Sequence, residues 1–201
     1  RQDTALVQVL NQLIQLSPDD IDAVREQVRV YDALNRPRDL VTAQTRLAEL
    51  ETDPAVKAEL WRAVARQWLE KFSNVQNALD GYEKVLEHIA DDEEATSKLR
   101  ELYGKRRAFK PLYDLLAKMR ARATGDGRRE LTLEMAKLAA ERLDRGADAI
   151  DLYWDLLKDD PKAAGVLDAL EKQAERDKDF TALARVLSHR VAQAEGDDAK
   201  I

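Results

Sequence analysis

The sequence predicts an all-α protein built from stacked helical hairpins. Three observations support this fold: an internal repeat, a composition rich in helix-forming residues, and short turns at regular intervals. Residues 59–126 match residues 130–197 at about sixteen positions without a gap, an offset of 71 residues. A repeat of this kind indicates a stack of similar units, which presents its function along a long surface rather than in one catalytic cleft.

Composition and charge narrow both the fold and the partners. Charged residues make up 36% of the chain and Gly and Pro are few, which favours helices with solvated faces over sheets. The 39 acidic and 33 basic residues are interspersed along the chain. No basic run could neutralise many phosphates at once, so direct nucleic-acid binding is not expected.

The chain shows no sign of cysteine chemistry or of membrane insertion. Cysteine is absent, which excludes disulfides, thiolate metal sites and cysteine nucleophiles. No apolar run approaches the roughly 20 residues that cross a bilayer, so no membrane insertion is expected in this segment. We expect a cytoplasmic protein, although the absence of cysteine fits the periplasm equally well.

Helix signals follow one another along the whole chain. Apolar residues recur at three- and four-residue spacing, and each segment ends at a short turn. The turns contain residues that cap or stop helices: Ser17-Pro18-Asp19-Asp20, Thr52-Asp53-Pro54, Gly125-Asp126-Gly127 and Asp159-Asp160-Pro161. The predicted helices span residues 3–16, 20–34, 38–51, 55–71, 75–89, 92–104, 108–123, 127–143, 147–158, 162–175 and 179–195.

Because the turns are short, consecutive helices are expected to run antiparallel and to form hairpins of about 34 to 37 residues. We predict a single array over residues 1–201, without a linker or a second domain. It begins with Arg rather than Met, and we interpret it as a fragment of a longer array. Its predicted units are a half repeat at residues 1–18 and hairpins at residues 20–53, 55–90, 92–125, 127–161 and 162–196.

Small and aromatic residues recur at fixed places within these hairpins. The first period has Trp61, Ala65, Trp68, Ala78, Tyr82 and Val85, and the next has Ala136, Ala149, Tyr153, Leu156 and Pro161. This pattern resembles the tetratricopeptide repeat (TPR) family. The resemblance implies a right-handed superhelical solenoid of about eleven helices. The 71-residue double hairpin also resembles long TPR proteins of bacteria of the myxobacterial type.

Packing accounts for the conspicuous aromatic residues. Trp61 and Trp68 occupy packing positions of the motif, and Trp154 follows a core tyrosine. The recurring aromatics are expected in the core or between hairpins: Tyr31, Tyr82, Tyr103, Phe109, Tyr153 and Phe180. The two histidines, His88 and His189, each stand alone near the exposed end of a helix, which favours a solvated or partly packed side chain over a metal ligand.

The sequence therefore predicts no enzyme, no cofactor and no metal site. The TPR resemblance implies a concave groove lined by the first helix of each hairpin. Cations fall on groove positions: Arg25, Arg29, Arg62, Arg66, Lys105, Lys137 and Lys172. The four arginines predict a grip for the carboxylates of an acidic partner. The alternative is a solvated face paired with the chain's own acids, such as Glu26, Asp32, Glu59 and Glu70.

The predicted function is a non-enzymatic scaffold or adaptor that binds a protein or peptide along the concave face. One alternative is a scaffold in an RNA-processing or other large assembly, because a related half-motif repeat also has recurring Trp and Tyr in helical hairpins. Another is a self-associating structural segment, because terminal hairpins expose apolar faces.

Overall fold

The computed structural model describes residues 2–161, 163 and 165–198. Within these residues the chain forms eleven α-helices and no strand, which confirms the all-α prediction. The helices are α1 (Gln2–Leu16), α2 (Ile21–Ala33), α3 (Pro37–Leu50), α4 (Pro54–Glu70), α5 (Val75–His88), α6 (Glu93–Arg106), α7 (Phe109–Arg122), α8 (Gly125–Arg142), α9 (Gly146–Asp159), α10 (Val166–Asp177) and α11 (Phe180–Asp198).

Most helix ends lie within one or two residues of the predicted ones. The prediction is wrong at α10, which begins at Val166 because Gly165 adopts a left-handed φ of 73° directly before it. The predicted start, Lys162, lies outside the described residues. The prediction of a turn at residues 125–127 is also wrong, since these residues form the first turn of α8.

The chain divides between Lys105 and Arg106 into two compact units. In the first unit, α1 to α5 pack in sequence order, each against the next; in the second unit, α7 to α11 do the same. The connections between packed helices are short, so neighbouring helices within a unit run antiparallel, as predicted. The organisation of residues 1–201 as one array stays a prediction.

Side-chain caps mark the start of α2 and of α4 in the first unit. The carboxylate of Asp20 accepts a hydrogen bond from the Ala23 backbone N–H at 3.0 Å and starts α2. Asp53 accepts from the N–H of Ala55 at 2.8 Å and, with Pro54 at the first helical position, starts α4. These caps satisfy N–H groups that have no partner inside the helix. They confirm the turn chemistry of the sequence.

Left-handed residues mark the turn between the two helices of each predicted hairpin. None of them is glycine: Asn35, Ser73, Arg107, Asp144 and Lys178 have φ between 50° and 55°. Ser73 and Asp144 are 71 residues apart, and so are Arg107 and Lys178. The repeat is therefore present in the backbone even where the side chains differ.

The aromatic repeat positions are mostly interior. Tyr31, Tyr82, Tyr103 and Tyr153 are buried, and Phe109 packs against the core of the second unit. Phe180 is the exception, with 75% of its surface exposed, so its predicted packing is wrong. The reason is the orientation of α11, which turns Ala182 and Val186 toward the core and leaves Phe180 at the outward side of its first turn.

Candidate functional site

Arg25 and Arg29 lie one turn apart on α2, and both side chains are exposed. The Arg25 guanidinium contacts Asp22 at 2.9 Å and Glu51 at 3.4 Å. Arg29 donates two hydrogen bonds to Glu26, at 2.9 and 2.5 Å. Its guanidinium lowers the pKa of Glu26. Each of the two arginines therefore already contacts carboxylates of this chain when no partner is bound.

Arg62 on α4 has a different environment, since only 12% of its side chain is exposed. It contacts Glu59 at 2.6 Å and Asp92 at 2.5 Å. Asp92, with 10% of its side chain exposed, also accepts a hydrogen bond at 2.8 Å from the N–H of Ala95 in the first turn of α6. Asp92 thus joins α4 to the start of α6, and Arg62 is its buried partner.

Arg66 lies one turn after Arg62 and binds Glu94 through both carboxylate oxygens. This fork is the strong geometry of an arginine and carboxylate pair, and it lowers the pKa of Glu94. Burial, with Glu94 nearby, raises the pKa of Tyr82 to about 12. Arg62 also approaches Glu94, at 3.7 Å. Glu94 therefore contacts both arginines of α4.

The charge around Arg62 and Arg66 is not positive. Two guanidinium groups face three carboxylates, those of Glu59, Asp92 and Glu94. The alternative drawn from the sequence named four acids, Glu26, Asp32, Glu59 and Glu70, and the contacts described above involve Glu26 and Glu59. The contacts to Asp22, Glu51, Asp92 and Glu94 were missed. The sequence feature that could have indicated the contacts to Asp92 and Glu94 is the acidic run at residues 91–94. Such a run is typical of a helix start, and in the structure it lies next to α4.

The three predicted lysines occupy exposed positions in different units. Lys105, in the first unit, contacts Glu101 at 2.6 Å on its own helix, and this lysine lowers the pKa of Glu101 together with Lys98. Lys137 on α8 and Lys172 on α10 belong to the second unit. Neither forms an ion pair with a residue that the structure describes. Their contribution to a shared groove stays a prediction.

Trp68 lines a surface cleft of about 550 Å³ in the first unit. Its ring is only half-buried and lies 5.0 Å from the ring of Phe72. Across the cleft, the Arg46 guanidinium donates to the backbone carbonyl of Pro18 at 2.8 Å. The remaining lining residues are Asp19, Thr42, Thr45, Glu49 and Leu50. Trp68 is therefore both a packing residue and part of an open surface.

The part of the chain that the structure describes contains neither a candidate metal site nor a candidate membrane span. No group of three or more His, Asp or Glu residues there could hold a metal ion. None of the described helices is both long and apolar enough to traverse a lipid bilayer.

A close approach of two helices shows how the repeat packs. Gly81 on α5 faces Ala65 on α4 so closely that a methyl group on Gly81 would lie 2.9 Å from the Ala65 Cβ. Ala65 and Ala78 are completely buried, and Tyr82 fills the space one turn on. Small residues at a helix crossing with a ring beside them are what the sequence motif predicted. These hairpins are TPR-like.

Solved structures align with this chain at low sequence identity. YrrB, described as a TPR protein with an unusual peptide-binding site, aligns with 13% identity and a TM-score of 0.45 over 91% of each chain. MamA from Desulfovibrio magneticus RS-1 aligns with 15% identity and a TM-score of 0.42, over 89% of this chain and 96% of its own. No protein-family model and no curated protein matches the sequence. At these TM-scores the likeness says nothing about partner or activity.

Proposed function

We propose that this chain is a non-enzymatic scaffold that binds a partner protein. The observation that carries the proposal is the repeated hairpin with its small and aromatic residues used for packing. Tyr82 and Tyr153, 71 residues apart, are both buried, and so are Ala78 and Ala149. Exposed helix faces carry charged residues such as Arg25 and Arg29. Such faces on a rigid stack are suited to many modest contacts with one partner.

We propose further that the partner is acidic and that it binds along the first helices of the hairpins. The exposed cations proposed to contact it are Arg25, Arg29, Arg66, Lys105, Lys137 and Lys172. Arg62 is mostly buried and would act by holding α6 against α4. Since the arginines already contact carboxylates, an acidic partner would have to displace Glu26 or Asp22, both on the exposed surface of α2.

Capture of partners from a lysate, with cross-linking and mass spectrometry, tests this proposal. The bait is the 201-residue chain, used as wild type and as the double variant Arg25→Gln/Arg29→Gln. We expect a partner that binds saturably and whose apparent affinity falls at least tenfold in the double variant. The reason is that the two guanidinium groups on α2 would no longer donate hydrogen bonds to carboxylates of the partner. Lys84→Gln is the matched control, since Lys84 forms the same kind of exposed pair, with Glu87, on α5.

The outcomes of this experiment test the α2 binding surface and the scaffold function separately. A partner that binds wild type and double variant equally well would contradict the α2 surface and leave the scaffold function standing. If no protein binds saturably, the scaffold function itself is contradicted.

A second candidate function is self-association, and exposed apolar stripes favour it. On α1, Val9, Leu13 and Leu16 are exposed at four- and three-residue spacing. On α11, Phe180, Leu187 and Val191 are exposed on one helix. Light scattering at several concentrations tests this candidate. We expect the mean mass to rise with concentration if the stripes pair, and a constant monomer mass would contradict self-association.

A further inference from the structure

A second surface cleft, of about 400 Å³, lies in the second unit between α9 and α11. Its apolar wall is formed by Trp154 and Leu157, both buried members of the core of this unit. Polar and cationic side chains line the rest of it: Lys158, Arg185, Ser188 and His189. No carboxylate is among the lining residues that the structure describes.

Arg185 is held in place by an aromatic ring rather than by an acid. Its guanidinium carbon lies 4.0 Å from the centroid of the Trp154 ring. Stacking of this kind orients the planar guanidinium while its N–H groups stay available at the edge. The Arg185 side chain makes no ion pair or hydrogen bond to any residue that the structure describes. This distinguishes Arg185 from Arg25, Arg62 and Arg66, which all contact carboxylates.

Three acids of this unit contact cations other than Arg185. Asp155, one turn before Lys158 on α9, accepts a hydrogen bond from Arg120 and lies 3.8 Å from Arg128. Its contact with Lys158 is long, at 3.5 Å. On α10, the carboxylates of Asp168 and Glu171 both contact Arg190, at 2.6 and 2.7 Å. The charged side chains in the described lining of the cleft, Arg185 and Lys158, are both cationic.

His189 also contacts the tryptophan. Its ring meets the Trp154 ring edge-on at 5.9 Å, and its Nε2 atom lies 3.4 Å from the backbone carbonyl oxygen of Pro161. Trp154 is thus contacted by Arg185 and His189, two residues that lie one turn apart on α11. These two contacts restrict the Trp154 ring before a ligand binds.

We propose that this cleft binds an acidic side chain, next to an apolar one, in an extended segment of a partner protein. Arg185 would hold the carboxylate through its fork of N–H groups, Lys158 would add a second charge, and Trp154 with Leu157 would cover the apolar neighbour. The apolar wall beside the cationic rim favours such a segment over a free anion. This inference rests on the proposed scaffold function and names a site for it away from the predicted groove cations.

A phage-displayed library of random dodecapeptides, selected on the 201-residue chain, tests this inference. We expect enriched peptides with an Asp or Glu beside an apolar residue. Fluorescence polarisation with one such labelled peptide should show at least a tenfold loss of affinity for Arg185→Gln and a smaller loss for Lys158→Gln. Arg129→Gln is the matched control, because Arg129 is an exposed arginine of the same unit that contacts Asp126 on its own helix.

A second readout guards against a variant that merely fails to fold. In two-dimensional NMR of the wild type, the indole N–H signal of Trp154 should shift on titration with the peptide and should stay in place when the acidic residue is replaced by Gln. The signal should also stay in place with inorganic phosphate at the same concentration. Circular dichroism of Arg185→Gln should match that of the wild type.

Each other outcome overturns the inference. Peptides that bind equally well to Arg185→Gln would place binding elsewhere and leave the scaffold function intact. A Trp154 shift with phosphate as large as that with the peptide would identify a site for free anions. Failure to enrich any peptide would exclude a short acidic segment as the ligand, whereas the capture experiment would still decide the scaffold function. Concentration-dependent dimers that Arg185→Gln abolishes would identify a second copy of the chain as the occupant.

Discussion

Replacement of Tyr82 by Ala should lower the free energy of unfolding by about 3–5 kcal/mol. The side chain is 1% exposed and is one of the largest that are fully buried in the described residues. Truncation removes the ring from an interior where Ala65, Ala78 and Gly81 keep the backbones of α4 and α5 close together, so the surrounding helices have little room to collapse. Urea denaturation followed by circular dichroism measures the change.

Two variants control this experiment. Tyr82→Phe keeps the ring and removes the hydroxyl, which lies at the Glu94 carboxylate, so it should cost less than Tyr82→Ala and at most about 3 kcal/mol. Phe180→Ala truncates an aromatic residue of the same repeat pattern that is 75% exposed, and it should change stability by no more than about 0.5 kcal/mol. A loss for Phe180→Ala equal to that for Tyr82→Ala would contradict the burial difference between the two positions.

Gly81→Ala should destabilise the protein by about 1–2 kcal/mol, although alanine is the better helix former. The added methyl group would lie 2.9 Å from the Ala65 Cβ and 3.2 Å from the Ala65 Cα, so α4 and α5 must separate. Overpacking of this kind typically costs about 1–3 kcal/mol, which outweighs a gain in helix propensity of up to about 1 kcal/mol.

Gly104→Ala on α6 is the matched control, because the added methyl group would have no atom within 4 Å apart from its chain neighbours and the backbone of its own helix. It should stabilise the protein by about 0.4–1 kcal/mol through helix propensity and reduced freedom of the unfolded chain. The two substitutions are thus expected to have opposite signs in chemical denaturation. Stabilisation by both would show that α4 and α5 are free to move apart at Gly81.

The helices and their interior could be predicted because they depend on local patterns. The three- and four-residue spacing of apolar side chains determines which face of each helix is buried, and residues such as Asp53 and Pro54 start a helix wherever they occur. The small residues Ala65 and Ala78 were predicted at a helix crossing for the same reason. Gly81 was not singled out, although a glycine inside a helix costs about 1 kcal/mol and so signals a close contact.

The environment of each charge could not be predicted, since it depends on tertiary contacts. Arg62 and Arg66 stand at equivalent positions one turn apart, yet one is buried between Glu59 and Asp92 and the other is half-exposed on Glu94. Their partners lie 30 and 28 residues away in the chain, at the start of α6. Similarly, the sequence placed Trp154 in the core and gave no sign that Arg185 stacks on its ring.

The left-handed turns also have a consequence for engineering. A side chain in this conformation costs roughly 1–2 kcal/mol, whereas glycine adopts it freely, at some cost in the entropy of the unfolded chain. Ser73, Arg107 and Lys178 lie at such turns and carry no described core contact, while Asp144 also holds Arg176 at 2.9 Å. Replacement of Ser73, Arg107 or Lys178 by Gly is therefore expected to raise thermal stability without altering any interior or binding residue.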